Sequence, residues 1–130
     1  MTTPLTGQGS WFCIPLTGAA LFAGGEIGSA INPEGANLII KQAVVYIETD
    51  TSAAGTTLGV GTGATAATAA TDIIAALAID GSPSTAFNLL AADDAKEALV
   101  VWHAADYVTA TGSAASTAFV GKLYIKYVHA

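Results

Sequence analysis

The stretch Leu38 to Thr49, LIIKQAVVYIET, constrains the fold more than any other part of the chain. It contains no glycine, no proline and no turn pair, and it is rich in the β-branched and aromatic side chains that suit a pleated surface. Its apolar residues fall on both alternating sets, Ile39, Val45 and Ile47 on one and Leu38, Ile40, Val44 and Tyr46 on the other. A strand apolar on both faces is expected in the middle of a sheet, covered on both sides.

The rest of the chain reads as shorter strands separated by turn chemistry. Asn32-Pro33-Glu34-Gly35 fits a type I turn, with Asn at i, Pro at i+1 and Gly at i+3, leading into the long strand. Trp11 to Ile14 predicts a short strand stopped by Pro15, and Ala19 to Ile27 a glycine-broken edge strand or loop. In Thr56 to Thr62, Leu58, Val60 and Thr62 share one parity and Gly59 and Gly61 the other. Glycines at one parity imply that another backbone or a large side chain comes close there. Asp72 fits the N-cap of a short helix carrying Ile73, Ile74 and Leu77. Phe87 to Leu90 and Ala98 to His103 predict two further strands. Asp106 to Thr111 and Ala118 to Val128, on either side of Gly112 to Thr117, predict a hairpin. In its second strand Phe119, Gly121, Leu123, Ile125 and Tyr127 form the inner set, and Lys122, Tyr124 and Lys126 the outer.

These elements predict an all-β fold, an antiparallel β-sandwich or jelly roll of about seven or eight strands with at most one short helix. At 130 residues the chain has the size of one domain, read as a flexible arm over 1–10 and a single sandwich over 11–130. Cys13 is the only cysteine, so packing alone must hold the chain, and its place in Trp11-Phe12-Cys13-Ile14 predicts a small buried hydrophobe.

Charge narrows the partners. Charged residues make up 11% of the chain, against about 25% in ordinary soluble domains. Four lysines, no arginine and a net charge of -6 oppose nucleic-acid phosphates and anionic lipid surfaces. No apolar run reaches the roughly 20 residues of a spanning helix, and Met1 to Ser10 has no basic segment of the signal-peptide kind. A surface so poor in charge is expected to be used in contacts between subunits of a symmetric oligomer.

The candidate sites for chemistry are weak. Gly59 to Ala64, GVGTGA, matches G-x-G-x-x-G/A, and Asp80 follows at about the interval of a ribose-binding acid. The fingerprint needs a glycine turn that opens a real helix, and only an Ala/Thr-rich stretch follows. His103 and Asp106 could pair for acid/base work, but each sits where a strand ends or begins and fits a turn. Asp93, Asp94 and Glu97 lack the alternating ligands of a Ca²⁺ loop. His129 stands next to the last residue, in a region expected to fray. No catalytic, metal or cofactor site is read from the sequence. Trp11, Trp102, Tyr107 and Tyr124 remain as an aromatic set for an interface or a ligand surface; packing in a core or between subunits and an exposed platform for sugar both suit such residues.

The order GGEIGSAINPEGANLIIKQAVVYIETDTSAAGTTLGVGTGATAATAATDIIAAL, followed by DYVTATGSAASTAFVGKLYIKYVHA, resembles small structural proteins of tailed bacteriophages with capsid-decoration or head-surface roles. The shared pattern is the Asn-Pro-Glu-Gly turn entering a long strand, the Leu58-Gly59-Val60-Gly61 strand with its Ala/Thr-rich loop, and the Tyr-Val-Thr-Ala and Tyr-Ile-Lys-Tyr strands at the end. The resemblance implies a non-enzymatic β-sandwich, commonly a trimer, that is made in the host cytoplasm and reinforces the shell by binding the major capsid protein. No functional residue carries over individually. A carbohydrate- or receptor-binding head fibre or spike, or a tail structural protein, is the alternative it leaves.

Overall fold

The computed structural model describes residues 10–18, 26–51, 54–80, 86–88 and 100–130. The described residues form nine strands: β1 (Ser10–Thr17), β2 (Glu26–Ile31), β3 (Leu38–Thr49), β4 (Thr57–Gly63), β5 (Ile74–Ala78), β6 (Ala86–Asn88), β7 (Val100–Trp102), β8 (Tyr107–Gly112) and β9 (Val120–His129). Among the described residues there is no helix. The expected arm over 1–10 and the segments 91–97 and 19–25 fall outside the described residues, apart from Ser10, which opens β1.

All ladders are antiparallel and form two sheets, β1-β9-β3 with β6 and β7 both on the far side of β3, and β2-β8-β4-β5. β6 pairs with Val44–Tyr46 and β7 with Leu38–Ile40, so the two short strands occupy one position in succession. Counted over eight positions, the order 1-8-3-6 faces 2-7-4-5, which is the arrangement of a jelly roll. The sheets close on a core that includes Ile14, Leu16, Leu38, Val45, Ile47, Leu58, Val60, Val108, Leu123 and Ile125. Trp102 is fully buried in it, with the rings of Phe12 and Tyr127 edge-on at 6.0 and 6.3 Å.

β3 is central, but it is not covered on both faces. Register slips between Ile40 and Gln42 opposite β9, so Lys41 is an extra residue and the inward parity changes from Leu38 and Ile40 to Ala43, Val45 and Ile47. One bulge therefore lets a strand with apolar residues at both parities keep a single buried face. In β9 the alternation holds as the sequence predicts, with Gly121, Leu123, Ile125 and Tyr127 inward.

Four other expectations change. The strand at Trp11 does not stop at Pro15 but runs to Thr17; β1 is an edge strand, where a missing N–H is tolerated. Cys13 is exposed, because Ile14 and Leu16 set the inward parity of β1. The segment after Asp72 is strand β5 rather than a helix, since Asp72 caps the neighbouring strand instead of its own chain. The Asp106–Thr111 and Ala118–Val128 strands are not a hairpin: β8 lies between β2 and β4 in one sheet, β9 between β1 and β3 in the other. Residues 113–119 cross between the sheets, and Phe119 is buried at the crossing. There Thr51 Oγ1 donates to the Thr117 carbonyl at 3.0 Å, Gly18 N donates to the Phe119 carbonyl at 2.7 Å, and Ala118 takes φ 70°.

Candidate functional site

Among the described residues, the outer face of the β1-β9-β3 sheet forms a continuous surface built from three strands. Antiparallel register places Trp11, Lys126 and Gln42 in one row, Cys13, Tyr124 and Val44 in the next, Pro15, Lys122 and Tyr46 in a third, and Thr17, Val120 and Thr49 in a fourth. Each of these side chains is exposed or half-buried, and away from the two β3 bulges, at Lys41 and Glu48, the residues between them point into the core. Of the four large hydrophobic side chains exposed among the described residues, Trp11 (52%), Tyr46 and Val120 stand on this face; Ile31 is on the other sheet. The Lys126 ammonium lies 5.9 Å from the centre of the Trp11 ring, a cation–π contact between neighbouring strands. Lys122 pairs with Glu48 at 3.2 Å, and the hydrogen bond and charge of that carboxylate raise the lysine's pKa above its ordinary value.

The aromatic residues singled out from the sequence are thus divided. Trp11 and Tyr124 share this face, Tyr107 lies on the opposite sheet beside Ile31, and Trp102 is on no surface at all. Its indole N–H donates to the Asp106 carbonyl at 2.9 Å, which satisfies the only polar group of the ring inside the core. A sugar platform built from Trp11, Trp102 and Tyr107 together is excluded by that placement.

The glycine-rich stretch has a different use. Gly59 and Gly61 lie on the outer parity of β4, and residues 64–72 fold back over them. A Cβ at Gly61 would lie 2.6 Å from the Ala70 carbonyl carbon and would collide with the Asp72 carboxylate. Asp72 accepts hydrogen bonds from the Thr62 amide and hydroxyl, both at 2.7 Å, and Thr109 Oγ1 donates to the Thr68 carbonyl at 2.7 Å. The glycines make room for a loop and cradle no phosphate. Asp80 is likewise structural, accepting from the Gly55 amide at 2.8 Å. The groove that remains beside this loop, lined by Thr57, Gly59, Thr71, Ala75 and Thr111, holds about 190 Å³, below the roughly 300 Å³ at which small-molecule sites begin.

His103 and Asp106 form the turn expected of them, Asp106 N donating to the His103 carbonyl at 3.0 Å. Asn32 organises this end of the molecule. Its Oδ1 accepts from the amides of Glu34 and Gly35, and its Nδ2 donates to the carbonyls of Ala36, Trp102 and His103. Gly35 at φ 66° completes the turn.

One cluster is absent from the sequence reading. The turn delivers Glu34 to the end of β9, where its side chain is 5% exposed. Tyr127 OH donates to Glu34 Oε2 at 2.7 Å, and His129 Nε2 lies 3.5 Å from Oε1, which has no hydrogen-bond donor of its own. Burial, then the adjacent carboxylate, push the Tyr127 phenol up to about 12. His129 does not fray, because β9 stays paired with Leu38 of β3 as far as that residue. Residues 93 apart in sequence meet here, and no local pattern signals it. Among the described residues there is no group of three or more His, Cys, Asp or Glu side chains placed to hold a metal ion, and none of Asp93, Asp94 and Glu97 is among those residues.

Compared with protein-family models, with curated proteins and with solved structures, the chain finds no match to any of them.

Proposed function

We propose that the protein is a structural subunit of a tailed-phage virion, a homo-oligomer that binds the assembled capsid surface and reinforces the shell. The observation that carries the reading is the exposed Trp11, Tyr46 and Val120 on one flat sheet face of a domain whose overall surface is poor in charge. Large apolar side chains gathered on one face are the mark of a surface used in contacts. The jelly-roll sandwich and the sequence pattern of phage head-surface proteins support the same reading. A decoration subunit requires no reaction. It binds the assembled lattice in preference to free subunits, and each bound copy adds a mass-action term to particle stability.

Two measurements test this. Light scattering on the purified protein over a range of concentrations is expected to give a mass several times that of one chain. Sedimentation with purified heads of a tailed phage, and separately with unassembled capsid subunits, is expected to carry the protein down with heads alone. A protein that ignores assembled heads and is missing from purified virions is not a decoration protein.

A further inference from the structure

Three of the four lysines of the chain, Lys41, Lys122 and Lys126, are on the outer face of the β1-β9-β3 sheet; the fourth is Lys96. Lys122 and Lys126 alternate outward along β9, and Lys41 is exposed at the bulge of β3. Glu48 is the one carboxylate among the described residues in the same field, already held by Lys122. Among the described residues, three lysines and one glutamate give the face +2, in a chain whose net charge is -6. The face that carries Trp11, Tyr46 and Val120 is thus also the only cationic one among the described residues, whose other Asp, Glu and Lys side chains are all carboxylates.

We infer that this face packs against an acidic surface on a second copy of the chain, in a head-to-tail contact, and not against the same face of a twofold partner. The inference rests on the oligomer proposed above and specifies its geometry. A face-to-face dimer would oppose three lysines with three lysines across a dehydrated apolar patch, where like charges act with little screening. The head-to-tail contact sets this +2 face against carboxylates on the other sheet, so attraction adds to the burial of Trp11, Tyr46 and Val120. The carboxylates on the other sheet include Glu26, at the start of β2 opposite Thr111, and Asp106, just before β8 and next to half-buried Tyr107, whose partner in register is exposed Ile31. Such contacts close into rings of three or more copies, or stay open, according to the rotation between neighbours.

The test uses the full chain and three variants. Light scattering at low and at high salt, with the same concentrations throughout, should show a wild-type mass that falls as salt rises, since salt screens the attraction. The charge-reversal variant K122E/K126E, whose altered side chains lie outside the core, should weaken association by about tenfold or more at low salt while melting as a folded domain. E26K/D106K, which reverses the opposite surface, should weaken it similarly, and an equimolar mixture of the two variants should recover it. Mild oxidation gives an independent readout: Cys13 stands on this face and is the only cysteine, so a Cys13-linked dimer formed in high yield would require two copies of this face to meet, as they do not in head-to-tail oligomers. Oligomers that persist in K122E/K126E, or that are trapped as Cys13-linked dimers, overturn the inference and leave the virion reading intact. A monomer at every salt and concentration overturns the self-contact itself, and binding to heads then decides the virion reading separately.

Discussion

At the scale of single residues, the polar groups near the ends of the sandwich behave as struts. Tyr127 is the clearest, an otherwise apolar core position whose hydroxyl reaches one buried carboxylate. Its phenol titrates near 10 when unfolded and is pushed up to about 12 when folded, so the folded state holds a proton that the unfolded state gives up. The stability this contributes is complete below about pH 10 and is lost as the pH rises from about 10 to about 12. Ultraviolet titration should show a tyrosine ionisation near pH 12, and Tyr127→Phe should remove that step. The same variant leaves Glu34 buried with one donor fewer and should lose about 1–3 kcal/mol in denaturant unfolding. Asp72→Ala removes two hydrogen bonds to Thr62 and should cost about 1.5–3 kcal/mol. Gly61→Ala should cost about 1–3 kcal/mol, because its methyl group drives the 64–72 loop off β4. An unchanged melting temperature for Gly61→Ala would mean that the loop does not rest on that strand. The glycine parity was readable in the sequence because a missing side chain is itself a pattern; the Glu34 strut was not, since its partners come from the other end of the chain.

At the scale of elements, alternation decided the faces and chain separation decided the partners. β9 is the simplest case, its inward set Gly121, Leu123, Ile125 and Tyr127 following from polarity alone. Ile125→Asp buries an unpaired carboxylate and should cost about 5 kcal/mol or more, enough to unfold a domain at the lower end of ordinary stability. Lys126→Asp, one residue away on the outer face, should still give a cooperative melt; the reverse outcome would invert the strand. β3 misled at the same level, because the bulge at Lys41 shifts parity and nothing in LIIKQAVV marks the position of a bulge. The helix expected after Asp72 failed for a tertiary reason. Once the Thr62 amide and hydroxyl hold its carboxylate, Ile73 N and Ile79 N donate to the carbonyls of Val60 and Thr56, and the segment lies along β4. The β8–β9 hairpin failed because both strands are central, each with two partners of its own.

For the whole molecule, the jelly-roll order joins the two ends of the described chain, with Ser10 opposite Tyr127 and Leu38 opposite His129. Nearly every ladder is closed by residues distant in sequence, so loop-closure entropy precedes most of the stabilising contacts. Refolding from denaturant is expected in about milliseconds to seconds, as for other β-sandwiches, and stopped-flow fluorescence of buried Trp102 would follow it. A microsecond phase carrying the full amplitude would show that a local unit folds alone. The all-β class, the turn at Asn32, the existence and extent of β3, the inward face of β9 and the shortage of charge are legible in the chain, because each follows from local polarity, turn chemistry or composition. The pairing of the strands, the bulge in β3, the outward Cys13 and Trp11 against buried Trp102, the meeting of Glu34 with Tyr127 and His129, and the three lysines on one face arise in tertiary packing. Those outcomes depend on residues far apart in the chain competing for the same core and the same hydrogen-bond donors, and that competition is settled only when the two sheets close on each other.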